Sequence, residues 1–180
     1  MFIIAESGAT KTDWRSVADD GSVVSVQTEG LNPMMMSQEQ LGGIIGKAIP
    51  SLNPEGRQVS HVYFYGAGLV SSQTVAVLEA VIDMWCPFSQ VEFHTDMEAA
   101  ARAVFGDGSG VVAIMGTGSN SCLWENGSIV RNIRPGGFIL GDEGGGASLG
   151  RMFLSDYIKG LVPEGLASLF DREFGLDYPA

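Results

Sequence analysis

The feature that most constrains this chain is an α/β pattern that begins twice. Alternating apolar residues predict strands, and apolar residues at helical spacing predict helices, in the order β-β-β-α-β-α-β-α over residues 1–106. The Gly-rich segment 106–110 then interrupts the pattern, and a second β-β-β run follows it. The sequence therefore predicts two units, 1–106 and 107–180, that share an architecture without sharing a sequence.

The predicted elements of the first unit are five strands and three helices. The strands lie at Phe2–Ala5, Trp14–Ala18, Val23–Thr28, Val62–Tyr65 and Val91–His94. The helices begin near Ser37, near Ser72 and at Met97; the first ends near Ala48, and Trp85 and Phe88 are expected in the core around the second.

The second unit has fewer predicted strands than the first. Three strands are expected at 111–115, 121–124 and 129–133, followed by a Gly-rich loop at 136–146 and helices near 147–160 and 163–174.

Composition excludes several classes of partner. The chain has 180 residues, 45% of them hydrophobic, which is enough to bury a core. Ten Lys and Arg against 21 Asp and Glu give a net charge of −11, which repels phosphate backbones and anionic lipid. We therefore expect no nucleic-acid or membrane partner, and leave a homodimer open. The two cysteines have no metal-ligand spacing and no signal peptide is recognisable, so a cytoplasmic location is expected.

Two Gly-rich turns stand at matching places, after the first strand of each meander. The first is Glu6-Ser7-Gly8-Ala9-Thr10-Lys11-Thr12, and the second is Gly116-Thr117-Gly118-Ser119-Asn120. Small residues allow a backbone to approach a phosphate closely and to direct N–H groups at it. Neither turn is a P-loop, because no G-x-x-x-x-G-K-[ST] pattern occurs. Two such turns in a repeated architecture indicate phosphate binding.

These turns, together with Gly141-Asp142-Glu143-Gly144, resemble motifs of the N-acetylglucosamine kinases. They are also similar to the wider BadF/BadG/BcrA/BcrD-type ATPase family of the actin/hexokinase/Hsp70 superfamily. The resemblance implies an α/β fold of the actin-like ATPase (ribonuclease H-like) type, with a complete β-β-β-α-β-α-β first lobe and an incomplete second lobe. It also implies ATP and Mg²⁺ as cofactors, with ATP between the lobes. Because two strands and an adenosine-binding segment are missing from the second lobe, we expect these residues to be part of a longer chain.

The resemblance assigns roles to the residues of both turns. Glu6 occupies the acidic position that holds Mg²⁺, usually through water. The residues expected to bind ATP phosphates are Gly8, Thr10, Lys11, Thr117, Gly118 and Ser119.

The same resemblance makes Asp96 the catalytic base. A sugar hydroxyl is a poor nucleophile, and a carboxylate within hydrogen-bond reach orients it and accepts its proton. From local sequence alone, a cap for the helix at Met97 is the favoured interpretation of Asp96, and the surrounding motifs reverse that preference without excluding both roles. The sugar itself is expected to contact Asn32, Asp96, Gly137 and Asp142. For Asn32 and Asp142, a pre-proline turn and an acidic surface turn are the alternative interpretations.

The predicted activity is ATP-dependent phosphorylation of an amino sugar, N-acetylglucosamine or glucosamine, at the 6-hydroxyl. Two alternatives stay open. One is an ATPase that activates a radical dehydratase through a cysteine-ligated iron–sulfur cluster. The other is a sugar-sensing module without catalysis.

Overall fold

The central strand of the first unit is β1, Phe2–Ser7, in a computed structural model that describes residues 1–8, 10–66, 69, 71–133 and 135–175. It pairs antiparallel with β2, Lys11–Val17, which pairs with β3, Val23–Glu29. On its other side it runs parallel to β4, His61–Gly66, and β4 runs parallel to β5, Gln90–His94. The strand order β3-β2-β1-β4-β5 confirms the predicted first-lobe sheet.

The sheet is covered on one face by two helices, α1 (Gln38–Leu52) and α2 (Ser72–Trp85). Buried residues of both helices join those of β1, β2 and β4 in one apolar core, which includes Ile3, Trp14 and Phe64. Helix α3, Asp96–Phe105, contacts β1 and β4. Residues 2, 4 and 6 of β1 alternate with the core-facing residues 3, 5 and 7, so Glu6 points away from the core.

The second unit contains an antiparallel sheet in the order β6-β7-β8. These strands are Ser109–Met115, Ser119–Glu125 and Ser128–Ile133. They are followed by α4 (Gly137–Leu140), α5 (Gly146–Ile158) and α6 (Glu164–Phe174). The chain divides into two compact units, Met1–Gly106 and Asp107–Ala180. No helix in the described ranges is both long and apolar enough to cross a bilayer.

Several predicted details are wrong. Helix α1 continues past Ala48 and Pro50 to Leu52, because Ile49 and Leu52 are buried on the core face of its last turn. Segment 137–140, expected to be loop, forms the short helix α4. Trp85 and Phe88 are not core residues, with 42% and 91% of their surface exposed.

Candidate active site

The parallel strands place Glu6 and the start of α3 at one edge of the first sheet. β1 and β4 end together at the pair Ser7 and Gly66, and β4 and β5 end together at the pair Tyr65 and His94. In open α/β sheets this carboxyl edge is where ligands bind. Asp96, two residues beyond β5, lies close enough to Glu6 to act on its ionisation.

The electrostatics at this edge oppose a negative charge on Glu6. Its pKa is raised above the ordinary value first by burial, then by Asp13, with Asp96 adding a smaller contribution and Lys11 opposing them. Glu6 and Asp13 are directly opposed in the β1–β2 register, and Asp13 is in turn opposite Gln27 of β3. A like-charge pair across two strands is unfavourable, so a cation at this place would be stabilised.

Lys11, expected on phosphate, is held beside that pair. Its ammonium donates to Asp13 Oδ2 at 2.8 Å, and the Gln27 amide donates to Asp13 Oδ1 at 2.8 Å. The bond to Lys11, followed by that to Gln27, lowers the pKa of Asp13. An exposed ion pair of this kind is weak, so Lys11 can exchange Asp13 for a phosphate oxygen.

The residue that caps α3 is Thr95, and not Asp96 as the sequence suggested. Thr95 caps α3: its hydroxyl accepts from the Glu98 N–H at 3.2 Å, and the Glu98 carboxylate accepts from the Thr95 N–H at 2.8 Å. The helix therefore begins at Asp96 and not at Met97. Asp96 is half-buried, and Oδ1 accepts the Met97 N–H at 2.9 Å. The capping interpretation of Asp96 is wrong, and its second carboxylate oxygen has no hydrogen-bond partner among the described residues.

Asn32 lies in a loop that is attached to the end of β1. The N–H of Leu31, the preceding residue, donates to the buried Ser7 hydroxyl at 2.9 Å. Asn32 Oδ1 accepts the Met34 N–H at 3.1 Å, as in an Asx turn, which matches the turn interpretation of this residue. The structure thus brings the Asn32 loop to the turn that contains Gly8 and is predicted to bind phosphate. The Gly8 N–H donates to the Lys11 carbonyl at 2.9 Å. Thr10 is exposed, and its carbonyl accepts the Gly30 N–H at 3.1 Å.

In the second unit, the turn 116–118 is bound to the segment 141–147. Ser119, the first residue of β7, donates its N–H to Asp142 Oδ1 at 3.3 Å. Gly146 donates to the Gly116 carbonyl at 2.8 Å and Ala147 to the Thr117 carbonyl at 2.9 Å. Two motifs that are more than twenty residues apart in sequence therefore form one cluster, which brings together Asp142 and the predicted phosphate residues of the second unit.

Two glycines permit this close approach. A Cβ on Gly145 would lie 2.7 Å from the Gly118 carbonyl carbon, and a Cβ on Gly118 would lie 2.9 Å from the Asp142 carboxylate. Within the described residues, no protein atom accepts the N–H of Thr117 or Gly118. These two N–H groups are the donors that an anion would meet at this turn.

Gly137, predicted to contact sugar, begins α4 with a φ of +68°. Its carbonyl accepts the Gly141 N–H at 2.9 Å, and Asp142 follows with a φ of +59°. A residue with a side chain is uncommon in that conformation, and such residues concentrate at functional sites.

A magnesium ion would find few protein ligands here, which fits its chemistry. Within the described residues, no group of three or more His, Cys, Asp or Glu side chains could hold a metal ion. Mg²⁺ characteristically keeps several waters and binds one or two carboxylates together with substrate phosphates. Glu6, with its raised pKa beside Asp13, is a suitable carboxylate of this kind.

Three contacts of the site were not predicted from the sequence. Ser7 has no predicted role of its own, yet its hydroxyl accepts the N–H of Leu31 in the loop that contains Asn32. Asp13 accepts a hydrogen bond from Lys11. The two residues are two positions apart on β2 and therefore lie on the same face of the strand, which is the sequence signal that could have indicated this contact. Gly145 packs against Gly118, for which the sequence offers only a run of glycines.

The comparisons with known proteins agree with this architecture. Over 98% of its length the chain is similar to a proposed N-acetylglucosamine kinase of Porphyromonas gingivalis, with 40% identity and a TM-score of 0.87. A proposed N-acetylglucosamine kinase of Chromobacterium violaceum (18% identity, TM-score 0.75, 99% of this chain) and a ROK hexokinase of Thermus thermophilus (16%, 0.62, 99%) share the fold. The chain spans 62%, 66% and 70% of these proteins, respectively. No family model matches the chain, and no curated protein matches it.

The fold and the paired turns define a protein with the architecture of the actin-like ATPases, and the solved structures share it. The chain has the actin-like ATPase fold. Its structural neighbours with this fold include the proposed N-acetylglucosamine kinases of P. gingivalis and C. violaceum.

Proposed function

We propose that this chain is the catalytic part of an ATP-dependent sugar kinase, with N-acetylglucosamine or glucosamine as the acceptor and the 6-hydroxyl as the attacking group. The observation that carries the proposal is Asp96, which follows β5 at the carboxyl edge of the sheet, near enough to Glu6 to contribute to its raised pKa, while Thr95 and not Asp96 caps α3. The 40% identity to the proposed kinase of P. gingivalis supports the choice of sugar.

In this proposal Asp96 is the base. Its carboxylate accepts the proton of the sugar hydroxyl as that oxygen attacks the terminal phosphate of ATP. The bond between that phosphate and ADP breaks, and ADP leaves. Asn32 and Asp142 hold sugar hydroxyls, and Gly137 contributes backbone contacts.

The two turns bind phosphate oxygens. Gly8, Thr10 and Lys11 do so in the first unit, and Thr117, Gly118 and Ser119 in the second; Ser119 does so by giving up its present bond to Asp142. Glu6 would hold Mg²⁺, which offsets phosphate charge when it is bound. The negative charges of Asp13 and Asp96, which repel the Glu6 carboxylate, would then attract the bound cation.

The cysteines do not favour the activator of a radical dehydratase. Cluster ligands are thiolates. Cys86 and Cys122 are both buried, and burial raises the pKa of the Cys86 thiol to about 11 and that of Cys122 above its ordinary value. A sugar sensor without catalysis would have no need of a base, and Asp96 is present. Membership of the BadF/BadG group and the cytoplasmic location stay predictions.

The test is an ADP-release assay of the full-length protein with glucosamine, N-acetylglucosamine, glucose and N-acetylmannosamine. We expect turnover to be fastest with one of the first two sugars. Asp96→Asn should lower kcat by about 10²–10⁴-fold, the usual loss for a general base. Sugar affinity should persist, because the amide keeps the shape of the carboxylate.

Asp83→Asn is the matched control, since Asp83 is an exposed residue of α2. It should leave turnover unchanged. Wild-type turnover in Asp96→Asn, or ADP release that no sugar stimulates, would contradict the proposal.

A further inference from the structure

The hydroxyl of Ser7 connects two parts of the first unit to which the proposed function gives different ligands. Ser7 is 1% exposed and ends β1, immediately before the phosphate turn. Its Oγ accepts the N–H of Leu31 at 2.9 Å, and Leu31 immediately precedes Asn32. A buried side chain at the start of the phosphate turn therefore binds the backbone of the loop that is proposed to hold sugar.

The direction of each hydrogen bond follows from the number of hydrogens. Thr12 Oγ1 donates to the Glu29 carbonyl at 3.0 Å, which uses its only hydroxyl hydrogen. Ser7 must then be the donor in the 2.9 Å bond between the Ser7 and Thr12 hydroxyls. The Leu31 carbonyl, at 3.4 Å from Ser7 Oγ, is a weaker competing acceptor. The result is a continuous relay from the Leu31 N–H through two hydroxyls to the Glu29 carbonyl.

The relay is anchored on both sides. Ser7 and Thr12 are the last opposed pair of β1 and β2, and the turn between them is closed by the Gly8 N–H on the Lys11 carbonyl at 2.9 Å. On the other side, the Asn32 carbonyl accepts the N–H groups of Met35 at 3.0 Å and Met36 at 2.9 Å. The loop is thus folded by its own hydrogen bonds, and the relay joins it to the turn.

We propose that Ser7 is a positioning residue that couples the phosphate turn, which contains Gly8, Thr10 and Lys11, to the Asn32 loop, residues 30–36, so that nucleotide on the turn changes the affinity for sugar. This inference rests on the proposed function of the two segments. A shift of the turn must either carry Leu31 with it or leave a buried hydroxyl and a buried N–H without partners. Leaving these buried groups without hydrogen bonds costs free energy, so the phosphate turn and the Asn32 loop move together.

The test compares Ser7→Ala with Ser16→Ala in the full-length protein. Ser16 is the matched control: it is 3% exposed on β2, and its hydroxyl donates to the Leu52 carbonyl at 2.8 Å, outside the relay. Ser16 is opposite Ile3, one residue from the start of β1, whereas Ser7 is its last residue. Both substitutions remove a buried hydroxyl, but only one of them interrupts the relay.

The measurement is calorimetric binding of N-acetylglucosamine with and without the Mg²⁺ complex of a non-hydrolysable ATP analogue. We expect the analogue to change the sugar Kd of the wild type by about tenfold, within the usual range of coupling between sites. The change should shrink to less than about twofold in Ser7→Ala and persist in Ser16→Ala. Equal coupling in both variants would overturn the proposal.

Amide hydrogen exchange of segment 30–36 gives a second measurement, which needs no sugar. The analogue should alter exchange there in the wild type and not in Ser7→Ala. If the wild type binds the analogue but none of the sugars, the proposed function fails while this exchange still decides the coupling. An unaltered segment in the wild type, or no binding of the analogue, overturns the coupling. If Ser7→Ala does not fold, Thr12→Val takes its place, since it interrupts the same relay one hydroxyl later.

Discussion

Gly145→Ala tests whether the turn 116–118 and segment 141–147 form one functional cluster. The new Cβ would lie 2.7 Å from the carbonyl carbon and 2.8 Å from the carbonyl oxygen of Gly118, and backbone atoms cannot rotate away. Either the strain is retained, at about 1–3 kcal/mol, or the segments separate. Separation loses the bonds that Gly146 and Ala147 donate, at about 1 kcal/mol each. Both routes predict a loss of about 2 kcal/mol in the free energy of unfolding of this unit.

Two further glycines provide a graded comparison. Gly118→Ala should cost less than Gly145→Ala, because its Cβ meets the movable Asp142 carboxylate. Gly116→Ala meets nothing within 4 Å and should change stability by less than about 0.5 kcal/mol.

Urea unfolding followed by ¹⁹F NMR of fluorotryptophan is the assay, since Trp124 is the only tryptophan after residue 106. Gly145→Ala should also weaken binding of a Mg²⁺–ATP analogue. Equal unfolding midpoints for the three variants would refute the packing argument.

Two further predictions concern the first unit. Glu6→Gln should be more stable than the wild type at pH 7.5, because the raised pKa of Glu6 means that its ionised form is disfavoured in the folded protein. That gain in stability should vanish as the pH falls through the pKa of folded Glu6 and the carboxyl becomes neutral. Urea unfolding midpoints across about pH 4–7.5 measure the gain. A gain that grows at low pH would contradict the raised pKa of Glu6. Thr95→Ala should cost about 1 kcal/mol in stability by removing the α3 cap, whereas Asp96→Ala should cost less; denaturant unfolding distinguishes them, and the reverse order would restore Asp96 as the cap.

The sheets could be predicted because their information is local. Alternating apolar residues and short turns predicted five strands and then three, whereas the order of the strands within the first sheet was not predicted. The position of Glu6 near the carboxyl edge of the sheet follows from its place near the end of β1. The cap of α3 could not be predicted, because Thr95 and Asp96 are both favoured at that position and their neighbours decide between them.

The contacts within the candidate site depend on distant residues. Ser7 and Leu31 are 24 positions apart, and Ser119 and Asp142 are 23 apart, so no helical or strand period reveals them. For Trp85, the local apolar period wrongly predicted a core position. Trp85 continues the apolar period of α2 and packs against Gly46 of α1, but it lies at the helix end, where one side of the ring stays exposed.

Identification of the product tests the central claim most directly. Full-length protein, ATP, Mg²⁺ and N-acetylglucosamine should yield a sugar phosphate whose ³¹P–¹H correlation places the phosphate on the 6-oxygen. Asp96→Asn should yield about 10²–10⁴-fold less of it in the same time. ATP hydrolysis without any phosphorylated sugar, or an undiminished yield from Asp96→Asn, would contradict the account.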